Sequence, residues 1–195
     1  MLEPEYRVGF QMRRIEIGLW STFRAVAAAA LKSLRIDYET DEDLEEAERT
    51  NVEIKNHFKL LALTCRELQK QYGTQRTNEI MHEVLMKGGQ VFFRRYAPLG
   101  PNDNLTDFAL IYKDFERHNM AVDVTRESKD EFEIDISRCL IYESFTELGI
   151  GYLTQWMCDI AYAYLNGCHP KIKYMKDRMI ARGDDTCHEM FVWQD

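Results

Sequence analysis

The sequence predicts an α+β protein: a helical N-terminal half, followed by two β-hairpins separated by a helix, which form an antiparallel sheet packed against helices. Three observations support this class. Apolar residues recur at helical spacing through the first half, the spacing changes to alternation after residue 120, and polar turns divide the alternating segments into pairs. We expect a single domain over residues 1–195, with a mainly helical part at 1–120 and a hairpin–helix–hairpin part at 121–195.

Four helices are predicted in the first half, over Met12–Leu34, Thr40–Tyr72, Arg76–Tyr96 and Thr106–His118. Thr40 is a good N-terminal cap because acidic residues follow it, where the helix dipole favours negative charge. Gly73 is expected to end the second helix, and Gly88-Gly89 to weaken the third. A loop with two prolines precedes the fourth helix.

The second half predicts four strands and one helix. The strands are expected around Val122–Val124, Phe132–Ile136, Ile172–Ile180 and Thr186–Trp193, and the helix over Tyr142–Leu165. Between the last two strands the segment RGDD predicts a tight turn, because glycine adopts positive φ angles and aspartate forms turns. Alternation places Cys187, Glu189, Phe191 and Trp193 on one face of the last strand.

The composition excludes several classes of partner. The formal net charge is −8 and the pI about 5.2, so the chain lacks the basic footprint that nucleic-acid binding needs. Its N-terminus lacks the apolar core of a signal peptide, and the longest apolar stretch, Ala25–Leu31, is too short to span a bilayer. Five cysteines, an odd number, favour free thiols in a reducing compartment. We therefore expect a cytoplasmic protein that binds neither nucleic acid nor membrane.

Each reactive-looking residue also has a structural explanation. Cys158 lies in a stripe of small residues on its helix, where a cysteine is commonly a small apolar side chain. Adjacent Cys187 and His188 point to opposite faces of a regular strand and cannot bind one ion together without distortion. The chain also lacks a G-x-S-x-G elbow, a phosphate-binding loop, a G-x-G-x-x-G fingerprint and a C-x-x-C pair.

A longer pattern begins at Cys139. It is followed by YESFTELGIGYL, then WMCDIAYAYL, then KIKYMKDRMIARGDDTCHEMF. This pattern resembles the L-2-aminothiazoline-4-carboxylic acid hydrolase family, which is itself distantly similar to vinyl-reductase-type ligand-binding domains. The matching positions are Cys139, Leu148-Gly149, Cys158, Gly183-Asp184, Cys187 and Phe191. An aspartate that follows the helix cysteine in the family pattern is replaced here by Ala161.

The resemblance implies a hydrolase that opens a small heterocyclic ring of amidine or thiazoline type, at a C–N or C–S bond of an amino-acid-like substrate. Water would add to the carbon between sulfur and nitrogen, and the adduct would expel a thiolate. In this interpretation, Asp184 or Asp185 is the base and His188 a proton shuttle, while Arg178 or Arg182 binds the substrate carboxylate.

Two other mechanisms use the cysteines. Cys187 with Cys158 would supply a covalent nucleophile at a thiol-centred site, which we favour, with Cys139 beside the substrate. Alternatively, these three cysteines would hold a divalent metal that activates water, although nothing in the sequence requires a cofactor. Two other classes of function stay open: a non-catalytic small-molecule or metal-binding domain of the vinyl-reductase-like kind, and a structural module. Apolar residues in the first helix favour a homodimer, while the size is also compatible with a monomer.

Overall fold

A helical first half and a four-stranded antiparallel sheet make up the fold, which confirms the predicted α+β class. The computed structural model describes residues 7, 11, 17–38, 45–96, 99–100 and 102–194. The helices are α1 (Leu19–Ser33), α2 (Glu46–Tyr96), α3 (Leu105–Asn119), α4 (Leu140–Glu147) and α5 (Thr154–Cys168). The strands are β1 (Met120–Glu127), β2 (Glu131–Cys139), β3 (Ile172–Arg178) and β4 (Cys187–Trp193).

The sheet has the strand order β1-β2-β4-β3, and all its pairs are antiparallel. Its inner face carries the alternating apolar residues that the sequence predicts. Phe191 in β4 lies opposite Phe132 in β2 and opposite Tyr174 in β3, and all three side chains are buried. The rings of Phe132 and Tyr174 both stack on Phe191. The helices pack against this row of aromatic side chains.

Two weak points were predicted within the region of α2, and one of them is confirmed. Gly73 has φ 75° and ψ 168° and interrupts the helix, as expected. Gly88-Gly89 does not interrupt it, and at Gly89 the helix lies in close contact with α5. A Cβ atom on Gly89 would lie 2.6 Å from Cδ1 of Ile160. The predicted helix start at Thr40 lies outside the described residues.

The prediction of one helix over Tyr142–Leu165 is wrong, since α4 and α5 are separate helices. Gly149 ends α4 with φ 73°. Its N–H donates to the carbonyl of Thr146, and the N–H of Ile150 donates to the carbonyl of Phe145, the two bonds of a Schellman motif. A 3₁₀ turn at Gly151–Leu153 then leads into α5. The break turns α5 so that it packs against both α2 and β3.

The last turn differs slightly from the prediction. Strand β3 ends at Arg178 rather than Ile180, and a 3₁₀ turn at Ile180–Arg182 follows. Gly183 has the left-handed conformation, with φ 100°, that the RGDD turn requires. Among helices of the described ranges, none is both long enough and apolar enough to cross a membrane.

Candidate active site

A cavity of about 110 Å³ lies between the helices and the inner face of the sheet, lined by residues of α2, α3, α4, α5 and all four strands. Most of its wall is apolar. Its polar side chains are Tyr112, Glu116, Cys139, Thr154, Cys158, Lys176 and Glu189. A larger depression of about 750 Å³ lies over residues 74–83 and Trp156. We place the candidate site in the smaller cavity because that is where buried carboxyl groups meet.

Lys176 and Glu189 form a buried ion pair at the cavity. They lie directly opposite each other in β3 and β4, and their side chains are 10% and 3% exposed. The Tyr112 hydroxyl donates a hydrogen bond of 2.6 Å to Oε2 of Glu189. Burial alone would lower the pKa of Lys176, but the interactions with Glu189, Tyr174 and Cys158 together outweigh it and raise that pKa well above the ordinary 10.5. The charge of Glu189 is therefore compensated by an ammonium group.

Glu116 is different because Oε2 of its carboxyl group has no hydrogen-bond partner among the described residues. It lies one helical turn after Tyr112 in α3 and is 3% exposed. Burial and the nearby charge of Glu189 raise its pKa from 4.5 to about 8, although Tyr112 and Lys176 act in the opposite direction. At neutral pH, Glu116 is thus a neutral carboxylic acid facing a cavity.

Two of the predicted cysteines, Cys139 and Cys158, line this cavity. Burial raises the pKa of Cys139 to about 12 and that of Cys158 to about 11. Cys187 lies on the inner face of β4, where its sulfur accepts a hydrogen bond from the N–H of Ile180, and burial raises its pKa too. All three thiols are therefore protonated at neutral pH, the opposite of what a thiolate nucleophile needs.

The structure does not assemble these cysteines into a metal site. Over the described part of the chain, His, Cys, Asp and Glu side chains form no group of three that could hold a metal ion. His169, next to Cys168, is buried, and its Nδ1 accepts a hydrogen bond from the N–H of Lys171. Within the described ranges, the three cysteines therefore do not form a three-ligand metal site.

The predicted acids of the last turn lie outside the cavity lining, as does His188. Asp184 is exposed, and its carboxylate accepts a hydrogen bond of 2.7 Å from the N–H of Met179, which stabilises the turn. Asp185 is also exposed. Nδ1 of His188 lies 2.8 Å from the carboxylate of Asp177. Their catalytic roles stay predictions that these contacts do not test.

The two arginines predicted to bind the substrate carboxylate also lie outside the cavity lining. Arg178 is paired with Asp135 at 2.8 Å, and Arg182 lies 3.4 Å from Asp159. Both arginine side chains are about half exposed, at 47% and 59%. Of the predicted site residues, Cys139 and Cys158 line the cavity. Cys187 does not line it, but is near enough to act on the pKa values of both thiols.

Sequence reasoning missed the polar cluster formed by Tyr112, Glu116, Lys176 and Glu189. The available signal was a charged residue at an inward-facing position. Glu189 alternates with buried Cys187 and Phe191 in β4. A charged residue at an inward-facing strand position needs a buried partner, so such a residue indicates a buried polar cluster.

The comparisons with known proteins identify the family. The model of the family described as L-2-amino-thiazoline-4-carboxylic acid hydrolase matches residues 53–191. This match covers more than half of the chain and includes every residue of the polar cluster. The chain belongs to this family. At a coarse level, the membership supports a hydrolase. No curated protein matches the chain.

Several solved structures are similar over most of their length, each at 12% identity. One comes from work on heme redox potential and protein-induced porphyrin distortion, with a TM-score of 0.38 and 96% of both chains covered. Another, on heme distortion in the H-NOX family, has a TM-score of 0.35 and covers 100% of this chain and 96% of that one. A trafficking protein particle complex subunit 3 from Naegleria fowleri, covalently bound to palmitic acid, has a TM-score of 0.27, with 90% and 95% covered. With scores this low, none of them carries an argument about function.

Proposed function

We propose that this chain is a hydrolase that opens a small ring of the cyclic amidine or thiazoline type at a C–N or C–S bond. Membership of the family supports hydrolysis. The size of the cavity supports a small ring, because its volume of about 110 Å³ is below the roughly 150 Å³ of an apolar cavity that binds benzene. The largely apolar wall lowers the local dielectric constant, which strengthens electrostatic interactions with the few polar groups inside.

The observation that carries the mechanism is the buried carboxyl group of Glu116 with its unpartnered Oε2. An efficient proton donor and acceptor has a pKa near the working pH, and that of Glu116 is about 8. A neutral amidine that enters the cavity takes the proton of Glu116, whereas an amidine already protonated in solution displaces that proton to solvent. The product is an amidinium ion paired with the Glu116 carboxylate, and its central carbon is more open to attack by water.

Glu116 then moves protons in both later steps. Water adds to the amidinium carbon, the C–O bond forms, and the Glu116 carboxylate accepts the water proton. The adduct breaks its C–S bond, and Glu116 returns that proton to the leaving sulfur. The hydroxyl proton left on the adduct passes to Glu116, so a urea and a thiol leave with the carboxylic acid restored.

Neighbouring groups hold Glu116 in its working state. Burial and the negative charge of Glu189 keep the pKa of Glu116 high, and Lys176 and Tyr112 hold Glu189 in place. Thr154, which is 2% exposed, has a hydroxyl group with no partner among the described residues. We assign it to orienting the attacking water. The raised pKa values of the cysteines give no support to the predicted thiol-centred mechanism.

The test is the release of free thiol from L-2-aminothiazoline-4-carboxylate and from 2-amino-2-thiazoline. We expect release from at least one of them, unchanged by chelation, and a loss of about 100-fold or more in Glu116→Gln, as for removal of a general acid–base group. Glu53→Gln, which changes an exposed glutamate of α2, is the matched control and should retain full activity. No release from either compound, or full activity in Glu116→Gln, would contradict the proposal. Binding without release would favour the non-catalytic ligand-binding alternative.

A further inference from the structure

The charges around the cavity are unusual for a site that binds an amino-acid-like substrate. Among the described residues that line it, Lys176 is the one cation, and it faces two carboxyl groups, Glu116 and Glu189. The Lys176 ammonium is already paired with Glu189 across the two strands. No lining cation of the described residues is therefore left for a carboxylate on the substrate.

Nearby arginines do not supply one. Arg178 and Arg182 carry side chains that are about half exposed and are paired with Asp135 and Asp159 outside the cavity lining. A carboxylate placed in the cavity would have to share the single positive charge of Lys176 with Glu189. The carboxylate of such a substrate would also lie close to Glu116 and would oppose its ionisation, which the proposed pairing with an amidinium ion requires. Burying a charge without a partner is costly, so the site disfavours an anion.

A positively charged ligand, in contrast, suits the carboxyl groups of the cavity. Oε2 of Glu116 is buried and unpartnered, so it can accept a hydrogen bond from an amidinium N–H without displacing a protein contact. Hydrogen bonds between an amidinium and a carboxylate are charge-assisted, and are roughly twice as strong as neutral ones. The apolar side chains of Phe58, Phe92 and Met157 cover the rest of a small ring.

From this arrangement we infer that the substrate is a small cyclic amidine or isothiourea without a carboxylate group, held as a cation against Glu116. This inference rests on the proposed function, since it names the substrate class of the same site. It departs from the amino-acid-like substrate that the sequence alone predicts. It also implies that binding of the cation releases a proton from Glu116, because the free carboxyl group is protonated at neutral pH.

Isothermal titration calorimetry with three matched ligands tests this inference: 2-amino-2-thiazoline, L-2-aminothiazoline-4-carboxylate and the corresponding 4-carboxamide. The carboxamide controls for size, since it has nearly the shape of the carboxylate without its charge. We expect the first ligand and the carboxamide to bind at least about tenfold more tightly than the carboxylate. At pH 7, binding of 2-amino-2-thiazoline should release close to one proton, measured from buffers of different ionisation enthalpy. In Glu116→Gln the affinity should fall about tenfold or more and the proton release should disappear, whereas Glu53→Gln should behave as wild type.

Equal or tighter binding of the carboxylate would overturn the inference, as would absence of binding for 2-amino-2-thiazoline, or binding that Glu116→Gln leaves unchanged. The carboxamide shows whether the charge or the size of the carboxylate group explains weak binding. If it binds as weakly as the carboxylate, size alone explains the preference and the inference fails. Because thiol release reports turnover and is measured separately from binding, tight binding of 2-amino-2-thiazoline with no thiol release would refute the proposed hydrolysis and leave the ligand class standing.

Discussion

Glu116 and Glu189 face the same cavity, but their surroundings give them different charges. Glu189 has an ammonium partner in Lys176 and a hydroxyl donor in Tyr112. Glu116 has an oxygen with no partner among the described residues, and the charge of Glu189 opposes its ionisation. Two carboxyl groups in unlike environments are a common way to divide acid–base roles within one site.

The raised pKa of Glu116 predicts how stability depends on pH. Because the folded chain binds this proton more tightly than the unfolded chain, the contribution is complete below about pH 4.5 and is lost as the pH rises through about 8. We expect Glu116→Gln to gain about 2–4 kcal/mol of unfolding free energy relative to wild type between pH 5 and pH 9. Urea unfolding at both pH values measures this difference, with Glu53→Gln as the control. Parallel pH profiles for wild type and Glu116→Gln would show that Glu116 ionises normally.

At the scale of elements, the cavity depends on how closely α5 approaches α2. Gly89 in α2 leaves room for the side chain of Ile160 in α5. Cys158, in the same helix α5, lines the cavity together with Phe92 and Phe93 of α2. A change in the spacing of these helices therefore changes the wall of the site.

Gly89→Ala should destabilise the fold, although alanine is the better helix former. Its Cβ atom would lie 2.6 Å from both Cδ1 and Cγ2 of Ile160, so the Ile160 side chain or the helices must shift. We expect a loss of about 1–3 kcal/mol, measured by urea unfolding. Gly167→Ala in α5 is the matched control, since no atom lies within 4 Å of its new Cβ, and it should be neutral or stabilising. Equal stability of the two variants would contradict the close contact.

The elements themselves could largely be predicted from the sequence, because their signals are local. Alternation identified the inner faces of β2 and β4, and the RGDD turn was recognised from its glycine and aspartates. Gly149 was missed as a helix end and Gly89 was misinterpreted as a weak point. A glycine has the same local signal whether it supplies a positive φ or space for a neighbouring helix, and tertiary packing decides between them.

For the molecule as a whole, the site could be predicted only in part. Cys139 and Cys158 were found because they lie in a recognisable pattern within one segment. Tyr112 and Glu189, which share a hydrogen bond, are 77 residues apart. No local pattern joins them, and a tyrosine or glutamate in a helix is ordinary when seen alone. Asp184 and Asp185, whose roles the resemblance implies, lie on the surface, and those roles stay predictions.

The first described helix leaves a large apolar surface. Trp20 and Phe23 in α1 are 72% and 54% exposed, and their rings stack on each other. This surface agrees with the reasoning behind the predicted homodimer, which stays a prediction because a single chain does not test it.

The central claim is that Glu116 is a neutral acid at pH 7, since both the proposed chemistry and the ligand preference depend on it. A carboxyl ¹³C NMR titration of glutamate-labelled chain measures this directly, and Glu116→Gln assigns the resonance. We predict one carboxyl signal, absent from the variant, that titrates with a midpoint near pH 8. If the signal lost in Glu116→Gln instead titrates near pH 4.5, Glu116 is ionised at neutral pH and the proposed mechanism is wrong.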